Sequence, residues 1–164
     1  MPGRIVHKCV GAGAGAVYAG FQAKDQTGAA YWLEVIGGSI GGYTTSMLPD
    51  KFEPAVSSWH RGPFHSAVAA GVAAGLSAKL EQWSTICRAK ANAQKAPQLE
   101  NTQTGERVAL PRSPFEELVA QIVEWFWRLL AGFLNGLAAG YVSHVALDAV
   151  VGSRSIPLFL GTLR

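Results

Sequence analysis

The sequence predicts an all-α fold, an up-down bundle of about four apolar helices embedded in a membrane, with a long polar loop between the third and fourth. The charge map carries most of that reading: uncharged runs fill residues 9–23, 35–49, 62–78 and 129–147, each too long for an ordinary strand. Composition agrees, since only 15% of the residues are charged and 19 are glycine, and small residues let helices approach closely without a water-driven core. The connections complete the pattern, with a short turn at 24–28, a motif-bearing loop at 50–61 and a polar stretch at 88–113. A chain of 164 residues corresponds to a single domain. Its mean hydropathy of +0.16 averages apolar segments with a polar insert.

The first run follows Arg4 and Lys8, a basic flank like that of a secretory signal. Gly11, Gly13 and Ala16 match a dinucleotide-type G-x-G-x-x-A, but the following segments continue as helices instead of alternating with strands. Gly11, Gly15 and Ala19 are then a small-residue packing face. The second run contains GGSIGG at 37–42, which lacks the Lys and Ser/Thr of a phosphate loop. Gly62 and Pro63 make a sharp entry to the third. Residues 88–113, with few bulky apolar groups and several turn formers, read as a flexible excursion. Ser113, Pro114, Glu116 and Glu117 form a helix start, with an N-cap, proline at the first position and acids in the first turn. One long helix follows, with Gly132 and Gly136 as places where it can bend. The apolar runs fall slightly short of the ~20 residues that span a bilayer. Flanking charges can snorkel, and Trp32, Trp59, Trp83, Trp125 and Trp127 suit an interface.

The net charge of +3 is spread along the chain without a basic stripe or interleaved aromatics, which argues against a nucleic-acid partner. Cys9 and Cys87 are far apart and form no metal-type pair, so both read as small buried apolar residues. No G-x-S-x-G elbow surrounds Ser58 or Ser66, and capping is the better reading of these serines.

Successive helices of an up-down bundle alternate in direction. The start of the first, the end of the second, the start of the third and the end of the fourth therefore share one end. His7, Asp50, His60 with His65, and His144 with Asp148 occupy those positions. All four histidines of the chain thus converge with two carboxylates, and His144 and Asp148, at i and i+4, project from one helix face. The opposite end, with Lys24, Asp25, Lys79 and Glu81, reads as a solvated mix. Imidazole and carboxylate suit a divalent metal, zinc first, with iron or manganese also compatible. Six groups suffice for one ion with outer partners or for two ions sharing a bridge. Arg61 between His60 and His65 is placed either to hold a phosphate through its planar fork or to pair with Asp50 or Glu53.

LPD at 48–50, HRGPFHS at 60–66, GYVSHVALD at 140–148, a histidine near the N-terminus and SIPLFLG near the C-terminus resemble the LexA-regulated, inner-membrane, metal-dependent hydrolase family. The resemblance covers most of the chain apart from 88–113. It implies a four-helix protein of the bacterial inner membrane in which His7, Asp50, His60, His65, His144 and Asp148 are metal ligands or their immediate partners. It also implies that the N-terminal segment stays attached if His7 is a ligand. Two departures stand out. The family tends to continue LPD with Asp and His, where this chain has Lys51, Phe52, Glu53 and Pro54, and it tends to place Thr where this chain has Phe64. The expected chemistry is attack of metal-activated water on an ester or phosphoester of a membrane lipid or smaller substrate, with Asp50 as general base and Arg61 neutralising phosphoryl charge. The alternative is a non-catalytic helix bundle with a structural or decayed metal site. A metal carrier is a weaker third reading.

Overall fold

A computed structural model describes residues 3–52, 64, 66–95, 98–100, 107–109 and 111–151. The described chain is predominantly helical: α1 (Arg4–Gln22), α2 (Gly28–Thr45), the short α3 (Leu48–Phe52), α4 (Ala67–Asn92) and α5 (Pro114–Val151). Two three-residue strands, β1 (Gln98–Glu100) and β2 (Arg107–Ala109), form an antiparallel ladder that pairs Leu99 with Val108.

The uncharged runs locate the four long helices but misplace their limits. The second run, 35–49, divides into the end of α2 and the beginning of α3. Pro49 in the first turn of α3 lacks an N–H where no intrahelical partner exists for one. The third helix starts at Ala67 instead of residue 62 and continues to Asn92, so 88–92 are its last turn and not part of the excursion. Ser66 caps it, its Oγ accepting the Ala69 N–H at 3.1 Å. The rest of the excursion is also partly organised: the ladder lies within it, and Arg112 donates to the Gln94 and Lys95 carbonyls at 2.7 and 3.2 Å, tying it to the end of α4. The helix start at Ser113 is a reciprocal box. The Ser113 N–H and hydroxyl donate to a Glu116 carboxylate oxygen at 2.9 and 2.8 Å, while the Glu116 N–H donates to Ser113 Oγ at 3.3 Å. From there α5 runs unbroken for 38 residues.

α2 lies against both α1 and α5, and α5 also packs on α1 and α4. The close approach centres on Gly38. A Cβ on Gly15 of α1 or on Gly136 of α5 would fall on the Gly38 carbonyl, and one on Gly38 would meet Ala19. One turn on, a Cβ on Gly140 would fall on the Gly42 carbonyl. The face at Gly11, Gly15 and Ala19 is buried in this contact. Thr45 crosses it as well, donating to the Leu137 carbonyl at 2.7 Å.

Burial is inverted relative to a water-soluble domain. The large side chains that are wholly enclosed include Arg128, His144, Glu34 and Asn135, whereas Val17, Phe21, Trp32, Ile40, Leu76, Trp83, Ile122 and Phe126 are exposed. The apolar core is built mainly of small groups such as Ala19, Ala91, Ala131 and Cys87. Cys9, expected to be buried, is exposed on the outer side of α1. Among the described residues α5 is the one helix both long and apolar enough to cross a membrane. The alanines and glycines of α1, α2 and α4 supply length but less hydropathy.

Candidate metal centre

Two helices deliver the enclosed group. His7 comes from the first turn of α1, and His144 and Asp148 come one turn apart from the last part of α5. Their relative exposures of 3%, 1% and 4% place all three inside the bundle. One donor atom from each lies within 4.8 Å of the others, so the group could hold a metal ion. The two imidazole rings stack at 4.0 Å with 24° between their planes and present Nε2 to the same carboxylate. His7 Nε2 is 3.4 Å from Asp148 Oδ1, and His144 Nε2 is 3.8 Å from Asp148 Oδ2.

Asp50 extends the group from α3. Its Oδ1 lies 3.5 Å from His144 Nε2, and its side chain is 24% exposed, so it forms the open edge of an otherwise enclosed set. It was expected on the loop at 50–61. It sits instead on a short helix, which fixes its backbone more firmly. The carboxylates of Asp50 and Asp148 thus reach the same His144 nitrogen. His60, Arg61 and His65, the remaining members expected from the sequence, lie outside the described residues.

The donor set fits a small divalent cation on two grounds. Asp148 Oδ1, which faces His7 Nε2, is buried without a hydrogen-bond partner, although enclosed polar atoms are ordinarily satisfied. The spacing of His7 to Asp148, 3.4 Å, exceeds the ~2.7–3.2 Å of a well-made hydrogen bond. It is near the ~3.3 Å edge of a tetrahedron with bonds of ~2.0 Å to nitrogen and oxygen.

Lys24, Asp25 and Lys79 are exposed, as expected, but a buried ion-pair network also lies toward the opposite end of the bundle. Glu34 of α2 is fully buried. Its Oε2 accepts Arg88 Nε of α4 at 2.8 Å and lies 2.7 Å from Nη2, and its Oε1 accepts Arg128 of α5 at 3.3 Å. Arg128 also donates to Gln26 Oε1 at 2.8 Å, Asn92 Oδ1 at 2.6 Å and Glu124 Oε1 at 3.5 Å. Reading the charges as flanks of apolar runs missed this network. The available signal was that Glu34 and Arg128 directly precede the uncharged runs that begin at 35 and 129. Between the two ends, Asn135 donates to Ser84 Oγ at 3.0 Å.

The arrangement defines a helical protein with a buried His/Asp centre at one end and a buried ion-pair network at the other. No protein-family model, curated protein or solved structure matches the chain.

Proposed function

We propose that this chain is a membrane-bound, metal-dependent hydrolase that cleaves an ester or phosphoester, with a lipid as its substrate. The observation that carries the reading is the buried group of His7, His144 and Asp148 with the partly exposed Asp50 at its edge. The motif resemblance to the LexA-regulated inner-membrane hydrolases supports it, with the bacterial inner membrane as the corresponding location.

Lipid exposure accounts for the inverted burial, because apolar side chains lose nothing by facing hydrocarbon while buried charges must pair inside. α1 and α2, with 19 and 18 residues, are about 28 Å long at ~1.5 Å per residue, close to the ~30 Å hydrocarbon thickness. Basic groups rest on aromatic rings at both ends: Lys8 over Tyr43 near the histidines, Lys24 over Phe21 and Lys90 over Trp127 at the other end. Such pairs suit the two interfaces.

A divalent cation held by these residues, zinc in first place with iron or manganese suiting the same donors, would supply Lewis acidity and lower the pKa of water in the site toward ~7. Asp148 holds the histidine nitrogens in register by facing both. Asp50, reachable from outside, is placed to take the proton of the attacking water as general base. His60 and His65 complete the ligand or outer set in this reading, and Arg61 neutralises charge on phosphoryl oxygens.

The enclosure of the three inner donors also suits a structural clip in a non-catalytic bundle, since structural sites are closed. The exposure of Asp50 favours catalysis. A carrier role has less support, because the α2 and α5 backbones meet at Gly38–Gly136 and Gly42–Gly140 and leave no room there for an ion to pass.

The test is elemental mass spectrometry of detergent-purified protein beside a His7→Ala, His144→Ala double variant, followed by a phosphoester and ester hydrolysis screen. Stoichiometric metal that the variant loses, with turnover lost in parallel, is the expected result. Metal without turnover leaves the structural clip. Absence of metal from the wild-type protein refutes the centre.

A further inference from the structure

The enclosed donors come from α1 and α5, and α2 supplies none of them. Both donor helices nevertheless rest on α2 at one residue. Gly11, one turn along α1 from His7, faces Gly42: a Cβ on Gly42 would fall on the Gly11 carbonyl, and one on Gly11 would meet the Gly42 carbonyl and Ser46. Gly140, one turn before His144 on α5, faces the same residue, since a Cβ there would meet the Gly42 carbonyl and Thr45 Oγ1. The end of α2 holds both neighbours in place. Ser46, its C-cap, is wholly buried and stands against Gly11, while Thr45 donates to the Leu137 carbonyl of α5 at 2.7 Å. Backbone therefore meets backbone on both sides of Gly42, a single helical turn from each histidine. α1 and α5 cannot come closer to α2 at this level, and they part only by giving up packed contacts.

We infer that Gly42 is the spacer that sets the size of ion the centre accepts, favouring a small divalent cation such as zinc over a larger one such as cadmium. It is a positioning residue, because it offers no donor and fixes the separation of two helices that do. The inference rests on the metal centre of the proposed hydrolase but not on its chemistry. Selectivity among divalent ions comes from imposed geometry more than from raw affinity. Here the frame holds His7 Nε2 at 3.4 Å from Asp148 Oδ1 and the two rings at 4.0 Å. A small ion fits that spacing as it stands, whereas longer metal–ligand bonds require α1 and α5 to separate. A methyl on Gly42 would displace α1 by on the order of 1 Å before ordinary contact is restored. His7 moves with α1, and the opened centre then suits the larger ion.

The test compares zinc with cadmium, which share a charge and a filled d shell and differ in radius. Metal-free protein in maltoside detergent is titrated with each ion in competition with a chromophoric chelator. The proteins are wild type, Gly42→Ala, Gly140→Ala and Gly37→Ala, each checked for helicity by circular dichroism. Gly37 packs just as closely, on the Leu129 carbonyl, but lies further from the centre along α2, so its variant reports loosening of the bundle alone. Wild type is expected to prefer zinc. The ratio of zinc to cadmium affinity should fall about tenfold in Gly42→Ala and Gly140→Ala, the lower end of the effect of residues that orient metal ligands, and stay at the wild-type value in Gly37→Ala. Equal losses for both ions in Gly42→Ala overturn the inference, because the residue then only supports the fold. A similar fall in Gly37→Ala overturns it as well. So does wild-type protein that binds cadmium as tightly as zinc, a result that needs no variant to fold. Failure of the hydrolase reading looks different: metal is bound with the expected selectivity, and no ester or phosphoester is turned over. Wild-type protein that takes up neither ion overturns both.

Discussion

Replacing Glu34 with Gln tests the ion-pair network most directly. The carboxylate is fully buried and stands between two guanidinium groups, Arg88 at 2.7 Å and Arg128 at 3.3 Å. Arg128 is 1% exposed and the Arg88 side chain 15%, so neither can turn to solvent without opening the bundle. The amide removes one negative charge and leaves two positive ones facing a neutral group. Glu124, 24% exposed and 3.5 Å from Arg128, remains as the nearest counter-charge. Removing one partner of a buried pair costs roughly 3–5 kcal/mol, because the other charge stays desolvated. At roughly 2–4 °C per kcal/mol for a chain of this size, that predicts a fall in unfolding midpoint of about 6–20 °C. The assay is thermal unfolding in detergent followed by helical circular dichroism. Combining Glu34→Gln with Arg88→Met should restore part of the loss, since the double variant removes an uncompensated cation. A midpoint within about 2 °C of wild type for Glu34→Gln alone would refute the argument and make the network a solvated surface feature.

Three further outcomes follow from the same geometry. Gly38→Val should prevent α1, α2 and α5 from closing, because even a Cβ at this position meets Ala19 and the Gly15 carbonyl; loss of folded protein in size-exclusion chromatography checks it, with Gly13→Val, at an open position, as the tolerant control. Under the proposed hydrolase function, Asp50→Asn should leave a metal bound at His7, His144 and Asp148 while lowering turnover by roughly 10²–10⁴-fold, the range for loss of a general base, as read by elemental analysis and kinetics on one preparation. Glu116, in the first turn of α5 ahead of the apolar stretch, has its carboxyl held below the usual range by hydrogen bonds from the Ser113 backbone and side chain. A depressed folded pKa contributes stability above the unfolded value that is lost as pH falls through the folded one, so Glu116→Gln should flatten the acid side of the stability profile, measured by unfolding between pH 3 and 6.

Much of the architecture was visible as periodic absence of charge. Four uncharged runs, and a proline and two glutamates after Ser113, predict four long helices and the start of α5, because local rules govern helix starts and apolar length. The convergence of His7, Asp50, His144 and Asp148 was legible for a different reason. Direction alternates along an antiparallel bundle, so topology alone assigns each residue to an end. The same rule assigns Glu34, Arg88 and Arg128 to the other end but cannot say whether they face inward. A charge beside an apolar run looks the same whether it snorkels or is buried. The limits of α4 were misread because Arg88 and Lys90 lie on the helix, where charge alone suggested a loop.

The sequence by itself therefore determined the helical class, the order of the helices and which end of the bundle His7, Asp50, His144 and Asp148 occupy, since these depend on local pattern and chain direction. Rotation and distance were decided only in the folded molecule. Backbone contact at Gly38 sets how closely α1, α2 and α5 approach. That approach turns Glu34 inward to Arg88 and Arg128 and brings His7 to within 3.4 Å of Asp148. No residue encodes that spacing alone, because it arises from the facing sides of three helices that meet only after packing.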